Sequence, residues 1–132
     1  MLLDVFEQSL FLVARLVERG DYDDALLVLW PWTETPLPPF QKMITCVNTG
    51  AIYAMKNQAE DALAWYDQGI EFERPLGVFL AAERKAAYLA EQGRNSEGLA
   101  IYEGLLWEPS LKNEDRERIQ HNISTLRARN NG

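Results

Sequence analysis

One pattern constrains this chain more than any other: a small residue followed four positions later by a bulky one, repeated three times at nearly equal spacing. "YDDALLVLWPW" begins at Tyr22, "AEDALAWYDQG" at Ala59 and "NSEGLAIYEGL" at Asn95. Ala25, Ala62 and Gly98 stand 37 and 36 positions apart. Leu29, Tyr66 and Tyr102 follow one helical turn later on the same face. Self-similarity in this range is the mark of a helical-repeat array, in which each unit buries its apolar face only against its neighbours.

The apolar spacing then divides the chain into seven expected helices. Residues 3–19 carry Phe6, Leu10, Val13 and Val17 at helical intervals and stop at Gly20. Residues 22–30 form the second, which Pro31 should end because proline lacks the amide proton and clashes with the preceding turn. "PWTETPLPP" then reads as an extended connector with four prolines. Further helices are expected over 40–56, with Met43, Val47, Gly50 and Ala54 on one stripe, and over 58–73, with Ala62, Trp65, Tyr66, Gly69 and Phe72 as contact face. Three more cover 76–92, 95–107 and 112–129. The last has only Ile119, Ile123 and Leu126 as large apolar residues, the narrow stripe of a helix that covers the end of a stack. No stretch alternates as a strand does, so the class is all-α.

Residues 49–75, "TGAIYAMKNQAEDALAWYDQGIEFERP", resemble one tetratricopeptide repeat. Gly50, Tyr53, Ala62 and Tyr66 match that family's glycine, aromatic, alanine and aromatic spacing, and Gly69 supplies the later small residue. Pro75 falls one position late, Cys46 stands for the usual tryptophan and Thr49 for the usual leucine. Val13, Leu16, Ala25 and Leu29 fill the same places in a first copy, and Ala86, Leu89, Gly98 and Tyr102 in a third. The resemblance implies a single domain over 1–132: repeats at about 5–38, 42–75 and 78–110, a capping helix at about 112–129, and a right-handed α-α superhelix.

It also implies a binding module rather than an enzyme. The first helix of each pair would line a concave groove holding a peptide or helix of a protein partner. By position that lining is Leu10, Ala14, Ile44, Val47, Asn48, Ala51, Met55, Leu80 and Arg84. A family variant grips the acidic C-terminus of heat-shock chaperones with five polar residues. Only Asn48 and Arg84 fit here, while Leu10, Ala14 and Leu80 occupy the other places, so most of the charge-assisted bonds would be missing. A mostly apolar lining suits an apolar peptide or an amphipathic helix, as in chaperone-like adaptors. The alternative is a structural subunit that forms a homodimer through the same surface.

Charge and residue types bear on the remaining classes. The net charge is −7, all of it within residues 1–80, where 12 acids face 5 bases. That is unfavourable for nucleic acid and for an anionic membrane surface. The single histidine, His121, and the single cysteine, Cys46, do not make a metal site of the usual kind, and no cofactor is expected. Cys46 has no basic neighbour in sequence to activate it and reads as packing. Adjacent acids such as Glu60–Asp61 diverge on a helix and suit its N-terminal dipole, so no catalytic residue is assigned. Trp30 and Trp32 are expected to pack the first hairpin onto the second, the sharper reading leaving Trp32 partly exposed as a contact patch. The apolar start lacks a basic leading region, and a cytoplasmic address is expected.

Overall fold

The computed structural model describes residues 1–131 as seven α-helices, with no strand among them. These are α1 (Leu2–Glu18), α2 (Tyr22–Glu34), α3 (Pro39–Met55), α4 (Ala59–Glu73), α5 (Leu80–Glu91), α6 (Asn95–Leu105) and α7 (Asn113–Asn131). A single 3-10 turn, Arg74–Leu76, lies between α4 and α5. Each helix packs on the next in the chain, and α3 also touches α5.

Three of the connections are the same turn. Gly20, Asn57 and Gly93 take left-handed backbone angles, with φ of 79°, 61° and 78°. The amide after each bonds back across the turn: Asp21 to the Leu16 carbonyl at 2.8 Å, Gln58 to Tyr53 at 2.9 Å, Arg94 to Leu89 at 2.8 Å. This closure satisfies the last carbonyls of the helix and reverses the chain. The acceptors lie 37 and 36 residues apart, the spacing of the small-plus-bulky pattern.

The in-register small residues sit where helices meet closely. Ala25 and Ala62 are fully buried, and Gly98 is buried. A Cβ on Gly98 would lie 2.8 Å from the Ala86 carbonyl oxygen, and one on Gly50 would lie 2.9 Å from the Tyr66 ring. The core is accordingly a string of clusters. Val13, Ala25, Leu29 and Ile52 join α1 and α2 to α3. Met43, Val47 and Ala81 join α3 to α5, and Ala62, Tyr66 and Tyr88 join α4 to α5. Ala82, Ala86, Tyr102 and Leu105 meet the α7 stripe Ile119, Ile123 and Leu126. The ion pairs Arg118–Glu83 and Arg127–Glu103, each at 2.8 Å, hold α7 on α5 and α6.

Two boundaries depart from the sequence expectation. Pro31 does not end α2; the helix runs through it to Glu34. The amide that proline lacks would have served the carbonyl of Leu27. Leu27, Trp30 and Pro31 are all exposed, so the loss falls on the water-facing side, where it is cheap. Thr33 and Thr35 hydroxyls donate to the Trp30 and Pro31 carbonyls at 2.6 and 2.7 Å and satisfy the final turn. Only Thr35–Pro38 is left as connector, and Pro39 sits in the first turn of α3, where its missing amide has no helical partner to lose. With Trp30 58% exposed, it does not pack the hairpins together. Trp32 packs within the first hairpin, edge-on to Phe6 of α1 with centroids 5.2 Å apart, and stays half-buried.

The second departure is α5, which begins at Leu80 rather than 76. Gly77, in the left-handed region at φ 68°, turns the chain after the 3-10 turn. That turn brings the first amides of α5 onto the carboxylate of Glu73: the Ala81 amide donates to Oε1 at 2.6 Å and the Ala82 amide to Oε2 at 3.0 Å. Glu73 is 1% exposed. A side chain at the end of one helix therefore caps the start of the next.

Candidate functional site

The groove between α3 and α5 is the best candidate site. Ala51, Ala54 and Met55 line one wall, at helical spacing near the end of α3. Arg84, Ala87 and Glu91 line the other, again at intervals of three and four along α5. Tyr66 and Tyr88 complete it, their ring centroids 6.3 Å apart. The cavity measures about 280 Å³. Three alanines keep it open, since a larger side chain on either helix would fill it.

Its polar groups are few. Arg84 is exposed and makes no ion pair among the described residues. Burial pushes the Tyr66 hydroxyl up to about 12, with Arg84 pulling weakly the other way. The Tyr88 hydroxyl is buried without a hydrogen-bond partner. Met55 is 47% exposed, so a flexible apolar side chain stands at the rim. Such a surface can bury an apolar segment and orient it with one cation.

Three of the nine residues expected to line one concavity, Ala51, Met55 and Arg84, come together here. The others are placed differently. Val47 is only 6% exposed and belongs to the Met43–Ala81 cluster, which corrects its assignment as an open groove residue. It lies on the side of α3 that receives the N-terminal turn of α5, a contact set by how the second and third hairpins meet. Ile44 and Leu80 are partly buried against the same cluster. Asn48 is half-buried, and its amide donates to the Ile44 carbonyl of its own helix at 2.9 Å. Leu10 is partly buried on the first cluster, and Ala14 is exposed on α1.

Another concavity, of about 300 Å³, lies between the α2–α3 connector and the α3–α4 pair. Trp32, Trp65 and Phe72 line it with Lys42, whose ammonium stands 5.3 Å from the Phe72 centroid. The tryptophans and prolines were a signal in the sequence; the approach of Lys42 and Phe72 from two helices was not. Cys46 also faces this space, its sulfur 3.8 Å from Gln68 Oε1. Burial pushes its thiol up to about 11, so it is a packing residue and not an activated nucleophile.

Among the described residues no three His, Cys, Asp or Glu side chains gather closely enough to hold a metal ion. His121 is exposed on α7. No helix among them is long and apolar enough to cross a membrane. No family model matches the chain, and no curated protein matches it.

Proposed function

We propose that this chain is a non-enzymatic protein-interaction module of tetratricopeptide type. Its three hairpins wind as a right-handed superhelix capped by α7. It works in the cytoplasm as an adaptor or chaperone-like holder of an apolar peptide or amphipathic helix. The recurring turn and the buried Ala25, Ala62 and Gly98 support the repeat reading. The binding reading rests on the α3–α5 groove: alanine-walled, with Met55 exposed at its edge and an unpaired Arg84 beside it.

The partner would dock its apolar face between the two helices, as helices do in hydrophobic grooves. Arg84 would pair with a carbonyl or an acidic side chain at one end. A photo-crosslinking residue at Met55, activated in the native cell, identifies the partner segment. That segment, made as a peptide, is then titrated against the protein. Ala51→Glu should weaken binding at least tenfold, and Arg84→Ala by about 1–3 kcal/mol, the range for losing a bond to a charged group. Affinity should change little with salt, because exposed charge pairs are screened and apolar contacts are not. Unaltered affinity in both variants would reject this groove.

A further inference from the structure

We infer that the chain forms a twofold dimer in which α1 packs antiparallel on α1 of a second copy. The starting point is a helix face that is covered twice and left open once. In α3, Thr45, Thr49 and Ile52 are 2%, 4% and 1% exposed, and Ile52 packs on Ala25 and Leu29 of α2. One repeat later, Ala81 and Tyr88 are 0% and 5% exposed, against Gly69 and Ala62 of α4. Each time the preceding hairpin covers this face. One repeat earlier the same stripe is Gln8, Leu12 and Arg15, and no hairpin covers it: Leu12 is 47% exposed, and Gln8 and Arg15 are exposed.

The surface around that stripe is unusually apolar. Val5 and Phe11, on its two sides, are 52% and 72% exposed. With Leu12 they leave roughly 300 Å² of apolar surface on one side of α1, the size at which a patch is often an interaction surface. The opposite end of the stack is different, because α7 buries its three large apolar residues there. Helix α1 is about 25 Å long.

Charge selects the occupant and its direction. Asp4 is paired only with the Met1 amine, at 3.5 Å, and Arg15 makes no ion pair among the described residues. The two are eleven residues apart on one helix, about 16 Å, too far to meet within one chain. A twofold axis crossing α1 near Ser9 brings Asp4 of each copy to Arg15 of the other. The same axis sets Val5 against Leu12 and places Gln8 of each copy where the helices meet. A parallel pairing would oppose like charges, which disfavours it.

Sedimentation equilibrium from about 1 to 200 µM tests this, since a dimer responds to concentration by mass action. The wild-type chain should reach twice its monomer mass. Leu12→Glu should remain monomeric throughout. Asp4→Arg and Arg15→Asp should each raise the dissociation constant at least tenfold, and the two together should restore it to within about threefold of wild type. All three positions are exposed, and helicity measured in parallel guards against unfolding. Ala51→Glu, in the α3–α5 groove, should dimerise normally, which separates this surface from the proposed partner site. The inference is overturned by a wild-type monomer at every concentration. It is equally overturned by dimers indifferent to Leu12→Glu, by charge swaps that fail to rescue each other, or by a dimer that only Ala51→Glu disrupts.

Discussion

The carboxylate of Glu73 should make the fold sensitive to pH in a direction opposite to that of ion-paired carboxylates, whose folded pKa is depressed. It accepts the Ala81 and Ala82 amides at the head of α5, and those bonds lower its pKa. Burial outweighs them and pushes it up from 4.5 to about 7, with the nearby Glu83 carboxylate adding to the rise. A group whose folded pKa is raised favours the fold in its protonated form. The contribution is complete below about pH 4.5, declines between 4.5 and about 7, and is gone above. At about 1.4 kcal/mol per pH unit, that interval amounts to about 3 kcal/mol. Glu73→Gln keeps the shape, retains one acceptor oxygen and cannot titrate. Urea unfolding of both proteins between pH 4.5 and 8 should therefore show wild type losing about 3 kcal/mol relative to the variant as pH rises. Other carboxylates titrate in both proteins and cancel in the difference. A constant difference, or one moving in favour of wild type with rising pH, would refute the reasoning. It would mean that the two amides and the α5 dipole hold the carboxylate charged despite its burial.

Other outcomes follow from packing. Val47→Asp places a charge in the Met43–Ala81 cluster and should cost about 3 kcal/mol or more in chemical denaturation, abolishing the fold before any binding can be assayed. Two glycines of α6 should respond with opposite sign. Gly98→Ala pushes a methyl to 2.8 Å from the Ala86 carbonyl and should destabilise by about 1–3 kcal/mol despite the better helix propensity. Gly104→Ala meets nothing within 4 Å and should raise stability by about 0.5–1 kcal/mol. Equal effects at both positions would show that the close approach of α5 and α6 is not the constraint at Gly98.

What could be read in the chain beforehand was what is local. Helix spacing, the stops at Gly20 and Gly93, and the narrow apolar stripe of α7 all depend on neighbours within a turn or two, and the structure has them where expected. The missed features depend on distance in sequence or on exposure. Pro31 is tolerated because of which side of α2 faces water, and no local rule states that side. Glu73 caps a helix that starts seven residues later across a left-handed turn. Val47 and Met55 sit on one helix eight residues apart and were assigned alike. The approach of α5 buries the first and leaves the second open.

The three matching turns also bear on how quickly the chain can organise itself. Each brings two helices together over a reversal of only a few residues, so the entropy lost in closing the loop is small. Contacts between elements adjacent in the chain then dominate, and proteins of such low contact order fold in microseconds to milliseconds. Each hairpin can form before its neighbours dock, and docking proceeds along the stack. The slow, concentration-sensitive traps of long-range pairing are thus largely absent from this topology. The left-handed residue of the middle turn is Asn57, not glycine, at φ 61°. That backbone region is more strained for asparagine. The hairpin with the best-matched repeat signature is therefore closed by the least favourable of the three turns.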